Sequence, residues 1–225
     1  MPLKSTDDKA TPKKKTKDRI MEAAEQLFSE KGLDATSMRD ITTAAGVNLA
    51  SVNYHFGSKD SLISAIFARH LEPINAARIE MLDMAEEMAG EGTLSIEAVL
   101  EAFIRPVVVH HLIPKGENDA FMRLMGRCLS EPPTHTDYIT PHFDVLMDRF
   151  HATVARALPD LTPEEAFWGL HFTIGTVHHT LNMLSRLDQL PHRPSEFMNA
   201  DNLAKRLIAF TAAGMKSPLI NSRQE

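Results

Sequence analysis

The sequence predicts an all-α fold, with short helices crowded at the front of the chain and long ones behind. Three observations predict it. Apolar residues recur at three- and four-residue spacing along nearly the whole chain, the period of a helix with one buried face. Gly32, Gly46 and Gly57 fall where short helices would end, dividing the first sixty residues into pieces of one to four turns. At 225 residues and 43% hydrophobic content, the chain is long and apolar enough to bury a real core as one generous domain or two small ones.

Composition narrows the setting. A single cysteine, Cys128, excludes an internal disulfide framework and fits a reducing compartment, so the expected location is the cytoplasm. The lysine-rich start, "MPLKSTDDKATPKKKTKDR", has no apolar segment behind it, and no apolar run approaches the ~18 to 20 residues needed to cross a bilayer. No membrane partner is expected. Net charge is −6, yet residues 1–60 hold ten Lys or Arg against nine Asp or Glu, so the acidity lies in the remainder. Any contact with a polyanion must therefore be local, near Lys13, Lys14, Lys15, Lys17 and Arg19.

Ile20, Ala23, Ala24, Leu27 and Phe28 set the register of the first helix, and Gly32 follows Lys31 as its C-terminal cap. In "TSMRDITTAAG", Ser37 caps a second helix, Asp40 reciprocates three residues on, and Gly46 closes it within two turns. Asn48 caps a third over Leu49 to Phe56, and Gly57 with Ser58 breaks it before a fourth opens at Lys59. Two short helices joined by a three-residue, glycine-containing turn form a helix-turn-helix, whose second helix lies in the DNA major groove. Ile41, Gly46, Val47 and Val52 fall where the two helices must touch; Thr42 is slightly bulkier than the alanine usual at that crossing. With Val47, Val52 and Phe56 inward, Ala50, Ser51 and Asn53 face outward, and an Asn can pair with both N6 and N7 of adenine. Tyr54, His55 and Lys59 reach phosphates, where the N-terminus of the fourth helix also points; packing of Tyr54 and His55 within the small domain is the alternative.

Residues 17–70 resemble the DNA-binding domain of the tetracycline-repressor (TetR) family of bacterial transcriptional regulators, through "IMEAAEQLFSEKG", "TSMRDI", "AAGV" and "YHFGSKDSL" in order. The resemblance implies a homodimeric repressor whose larger C-terminal domain binds a small ligand and releases a palindromic DNA operator. By position it implies a DNA-facing set of Ser37, Arg39, Asn48, Ala50, Ser51, Asn53, Tyr54, His55 and Lys59. Asn53 stands where many members carry Tyr, and Leu49 where many carry Lys, so operator preference is this chain's own. The organisation expected is a basic tail over 1–15, the helix-turn-helix domain over 16–60, a ligand-binding and dimerisation domain over 61–216, and a flexible C-terminus over 217–225.

The fourth helix, with Leu62, Ile63, Ile66, Phe67 and Leu71 in register, meets Pro73, which removes one helical hydrogen bond and marks either a hinge or an interrupted helix end. Further helices are expected over about 95–112, 118–130 and 139–158. Thr162, Pro163 and Glu165 combine N-cap, proline and capping box at the start of a helix reaching about Leu187. Its stripe of Phe167, Leu170, Ile174, Val177, Leu181 and Leu184 is expected in the core. Beside it, Trp168, His171, Gly175, His178 and Asn182, with Leu203, Leu207 and Phe210 of a last helix, are expected to form a two-fold dimer seam. The alternative places Trp168 or His171 in a ligand cavity.

That cavity is expected to be lined by Phe67, Phe103, Phe121, Met125, Phe150 and Phe172, since Met- and Phe-rich helical cores adapt to greasy ligands. "FMRLMGRCLSEPP" looks like the subset of the family that senses fatty acyl or other hydrophobic compounds, and Arg123 or Arg127 could pair with an acid group. The pairs His110 with His111 and His178 with His179 point about 100° apart on a helix, so no metal site is expected. No G-x-S-x-G elbow or glycine-rich phosphate loop is present, so no catalytic residues and no cofactor are expected, and an enzyme is not the expected class.

Overall fold

The computed structural model describes residues 15–112, 119–130, 133–187 and 199–217, and the described residues hold helices and turns with no strand. The helices are α1 (Thr16–Lys31), α2 (Met38–Ala45), α3 (Leu49–Phe56), α4 (Lys59–Ala89), α5 (Ile96–Leu112), α6 (Asp119–Ser130), α7 (Asp144–Ala157), α8 (Pro163–Leu187) and α9 (Ala200–Lys216). The terminal segments expected as a basic tail and a flexible end lie almost wholly outside the described residues, as do Lys13 and Lys14.

The front of the chain is built by local chemistry. Ile20, Ala24 and Phe28 recur every four residues on α1 and are fully buried. Ser37 and Asp40 close the capping box of α2, each serving the other's backbone N–H, and Gly46 ends the helix in the left-handed region at φ 62°. Arg19 of α1 donates to the carbonyls of Ala45 at 2.5 Å and Gly46 at 3.1 Å, so this guanidinium clamps the turn. Thr42 fits the crossing because its hydroxyl is satisfied locally, donating to the Arg39 carbonyl at 2.9 Å.

The core behind α1–α3 runs past residue 60. Phe121, Leu124, Met125 and Cys128 of α6 join Ile20, Phe28, Ile41, Val52, Ile66 and Phe67 in one apolar cluster, so the expected domain boundary is no gap in the packing. A second cluster organises the rear half around α5, which is buried on several sides by Val99, Phe103, Ile104 and Val108 as a central helix must be. Against it lie α4, α7, α8 and α9.

Three expectations change. The fourth helix does not end at Pro73: α4 runs through it for 31 residues to Ala89. The helix expected from 139 starts at Asp144, because Pro141 has no N–H to give an α-turn and the chain takes 3₁₀ turns instead, with His142 and Phe143 donating to Ile139 and Thr140. Phe167 is not core but 49% exposed. The buried edge of α8 runs through Ala166, Leu170, Thr173, Val177, Leu181 and Leu184, one position around the helix from Phe167.

Candidate nucleic-acid interface and internal cavity

Val52 decides how α3 presents itself. It is 0% exposed against the first core, while Val47 and Phe56 are half-buried beside it. Burial of such a side chain stabilises by roughly 1.5–3 kcal/mol, enough to fix the rotation of a two-turn helix. The rest of the helix surface is open: Ala50, Asn53, Tyr54 and His55 are exposed, Tyr54 at 86% with its ring edge-on to His55 at 5.1 Å.

Three hydroxyl or amide groups on this surface already have structural work. Asn48 Oδ1 caps α3, accepting from the Ser51 N–H at 2.8 Å and from its hydroxyl at 2.9 Å. Ser37 donates its hydroxyl to Asp40 at 2.6 Å, and these bonds hold the Asp40 carboxyl below the usual carboxylate range. Ser37 and Asn48 are exposed and Ser51 half-buried, so each retains capacity outward. Arg39 is exposed on α2. Lys59 is half-buried, its Nζ 6.0 Å above the Phe28 ring, at the start of α4, which Ser58 caps by accepting from Ser61 at 3.0 Å. Close by, Tyr138 donates to Asp60 at 2.7 Å; that bond and burial push its phenol up to about 12.

The second feature is internal. A cavity of about 220 Å³ opens between α4, α5, α6, α7 and α8. Phe103, Phe121 and Met125 line it, with Met122 and Met147 among the neighbours. Phe67 and Phe150 do not: each packs edge-on behind a lining ring, Phe67 on Phe121 at 5.7 Å and Phe150 on Phe103 at 4.9 Å. Phe172 is 54% exposed and lies outside, and neither Trp168 nor His171 is among the lining residues. Arg123 is exposed, and Arg127 reaches Gly32 at the end of α1; neither lines the cavity.

Sequence reasoning missed the polar lining: Arg78, His110, His111 and His178. Burial first, then neighbouring histidines, holds His110 and His178 below the usual imidazole range. One bridge joins cavity and front. His70 Nε2 meets Glu25 of α1 at 2.9 Å, and its ring stacks at 4.0 Å on Phe121, a lining residue.

The expected dimer seam divides in two. Trp168, His171 and Gly175 are open on α8, and Phe210 on α9 is 69% exposed. Leu203 and Leu207 are buried in the chain's own core against α5 and have little area left to offer. His178 turns to the cavity, and Asn182 packs against Gly126 of α6. Within the chain the close approach uses Gly169, where a Cβ would stand 2.8 Å from Met215 of α9, while Gly175 faces open space. Among the described residues, no three metal-capable side chains come together and no helix is long and apolar enough to cross a membrane.

A capped, outward-facing third helix on a larger helical body defines a helix-turn-helix protein with an internal apolar cavity. The family model described as bacterial regulatory proteins of the tetR family matches residues 20–66, and that of the tetracyclin repressor-like C-terminal domain matches residues 101–214. The chain belongs to the TetR family of bacterial regulatory proteins. It is 29% identical over 116 residues to the HTH-type transcriptional regulator UidR of Escherichia coli (strain K12), covering 45% of this chain and 59% of that one. It is 34% identical over 85 residues to the HTH-type transcriptional repressor KstR2 of Rhodococcus jostii, covering 38% of each. The crystal structure of the TetR family transcriptional regulator PfmR from Thermus thermophilus shares the fold, with a TM-score of 0.60 at 20% identity over 88% of this chain and 100% of that one.

Proposed function

We propose that this protein is a ligand-responsive, DNA-binding regulator of transcription: a cytoplasmic repressor that grips a palindromic operator as a homodimer and releases it when a small hydrophobic inducer enters the cavity. The observation that carries the reading is the sharing of α4. Its capped N-terminus stands beside the reading helix, and Leu71, Ile74 and Arg78 on its middle turns form one wall of the cavity. A ligand that shifts Phe121 must also disturb the stacked His70 and its contact with Glu25 of α1. Pro73 lies between Leu71 and Ile74, a weak point in the helix hydrogen bonding at the place where a hinge would act.

Homodimerisation is supported by the open aromatic side of α8 and α9, since a soluble protein rarely leaves such a patch uncovered. A two-fold dimer suits half-sites about one helical turn of DNA apart. Repression is supported by the relative that is itself named a repressor.

The test is a footprint of the purified protein on DNA upstream of its own gene, repeated with a panel of lipid extracts. Protection of a palindrome that at least one extract abolishes is expected. Absence of any protected site near the gene, or protection indifferent to every extract, defeats the reading in its DNA or its ligand part respectively. In the same assay, a Pro73→Ala variant with unchanged coupling between ligand and DNA would remove the hinge.

A further inference from the structure

Arg78 is 5% exposed, and among the described residues lining the cavity it alone carries a fixed charge. Its guanidinium lies 4.4 Å over the Phe103 ring, its Nε donates to the Phe103 carbonyl at 2.8 Å, and Nη1 donates to Asn75 Oδ1 at 3.1 Å. Asn75 is in turn held by donating to the His142 carbonyl at 2.7 Å, so the group is positioned on both sides. These partners use two of the five N–H donors of a guanidinium and neutralise none of its charge. Among the described residues no Asp or Glu pairs with it.

Arginines nearer the surface show what is missing. Arg105 meets Glu101 and Asp201, and Arg149 meets Asp83 and Glu86. Arg78 is the deepest of the three and meets no counter-ion among the described residues. Burial alone pushes it down to about 10, with no carboxylate acting against that, and the side chain stays cationic at neutral pH. A charge withdrawn from water and left uncompensated opposes folding, whereas a carboxylate across a guanidinium makes a short, paired, charge-assisted contact. The same burial disfavours protonation of His110 and His178.

We propose that the cavity takes an amphiphile with a single oxyanionic head, a carboxylate in the simplest case, seated on Arg78 with its hydrocarbon body along Phe103, Met125 and Met147. This rests on the reading of the cavity as the inducer site. The apolar lining selects the body and Arg78 selects the head, so an acid is separated from its own alcohol by one contact.

Calorimetric titration of the full chain with octanoate, 1-octanol, octylamine and inorganic phosphate tests it, in the parent and in Arg78→Met and Arg78→Lys. The parent should bind octanoate at least tenfold more tightly than 1-octanol, and should bind octylamine and phosphate more weakly still. Arg78→Met should bring octanoate down to the level of the alcohol without weakening the alcohol, and Arg78→Lys should keep part of the preference. Equal binding of acid and alcohol by the parent overturns the proposal, as does octylamine or phosphate matching octanoate, or a preference that survives in Arg78→Met. Should Arg78→Met not fold, the parent's acid-to-alcohol ratio and Arg78→Lys decide. Failure of all four compounds to bind overturns the proposal, while operator binding by the same preparation separately decides the DNA part of the proposed function.

Discussion

Asn53 and Lys59 sit on one surface, and the proposed function assigns them different work. Asn53 is exposed on α3 next to the buried Val52, with both amide groups available, whereas Lys59 is a point charge beside the capped start of α4. Asn53→Ala should lower affinity for the specific site by about 1–3 kcal/mol and leave random DNA almost untouched. Lys59→Ala should weaken both alike and reduce the steepness of the salt dependence by about one unit. Anisotropy titrations on operator and random duplexes over a range of salt read both effects. If the two variants bind both duplexes like the parent, the roles are assigned wrongly. Asn48 differs again, because its oxygen already holds the first turn of α3. Truncating it acts on stability as well as on recognition.

At the scale of elements, the turn between α2 and α3 is the most constrained piece of backbone. Gly46 adopts φ 62°, and a Cβ there would stand 3.0 Å from the Arg19 group that clamps the same turn. A Gly46→Ala variant should therefore lose about 1–2 kcal/mol in chemical denaturation, the cost of a left-handed L-residue, and bind DNA less well because α3 loses its fixed angle to α2. An unchanged denaturation midpoint would show that the clamp adapts freely. The same logic explains α7. Its apolar register, Leu146, Phe150 and Val154, is visible in the sequence and buried in the fold, but Pro141 moves the start of the helix to Asp144.

For the whole molecule, what remains open is as informative as what is packed. Phe167 meets Trp168 edge-on and Trp168 stacks on Phe172, an exposed aromatic run along α8, with Phe210 exposed on α9. If this is the two-fold seam, Phe172→Glu with Phe210→Glu places like charges across it, which costs several kcal/mol. Sedimentation should then find single chains where the parent sediments as pairs, and operator affinity should fall with it. A double variant that still sediments as pairs moves the seam elsewhere. The core that joins α6 to α1 has a related meaning, since a ligand between α4 and α6 touches helices that the DNA-reading end also leans on.

The sequence by itself determined the helices, their caps and the outward side of α3, because those depend on interactions within four residues: Ser37 with Asp40, Asn48 with Ser51, Gly46 after Ala45. Only the tertiary structure decided where the helices lean on one another. Periodicity told that α8 has an apolar stripe, but the larger Phe167 drew the reading one position away from the buried Ala166. Nothing local distinguishes Phe103, which lines the cavity, from Phe150 packed behind it, or marks Arg78 as a buried arginine that meets no carboxylate among the described residues. A cavity is the space left between five helices from distant parts of the chain, and its chemistry is set by which turns come to face that space.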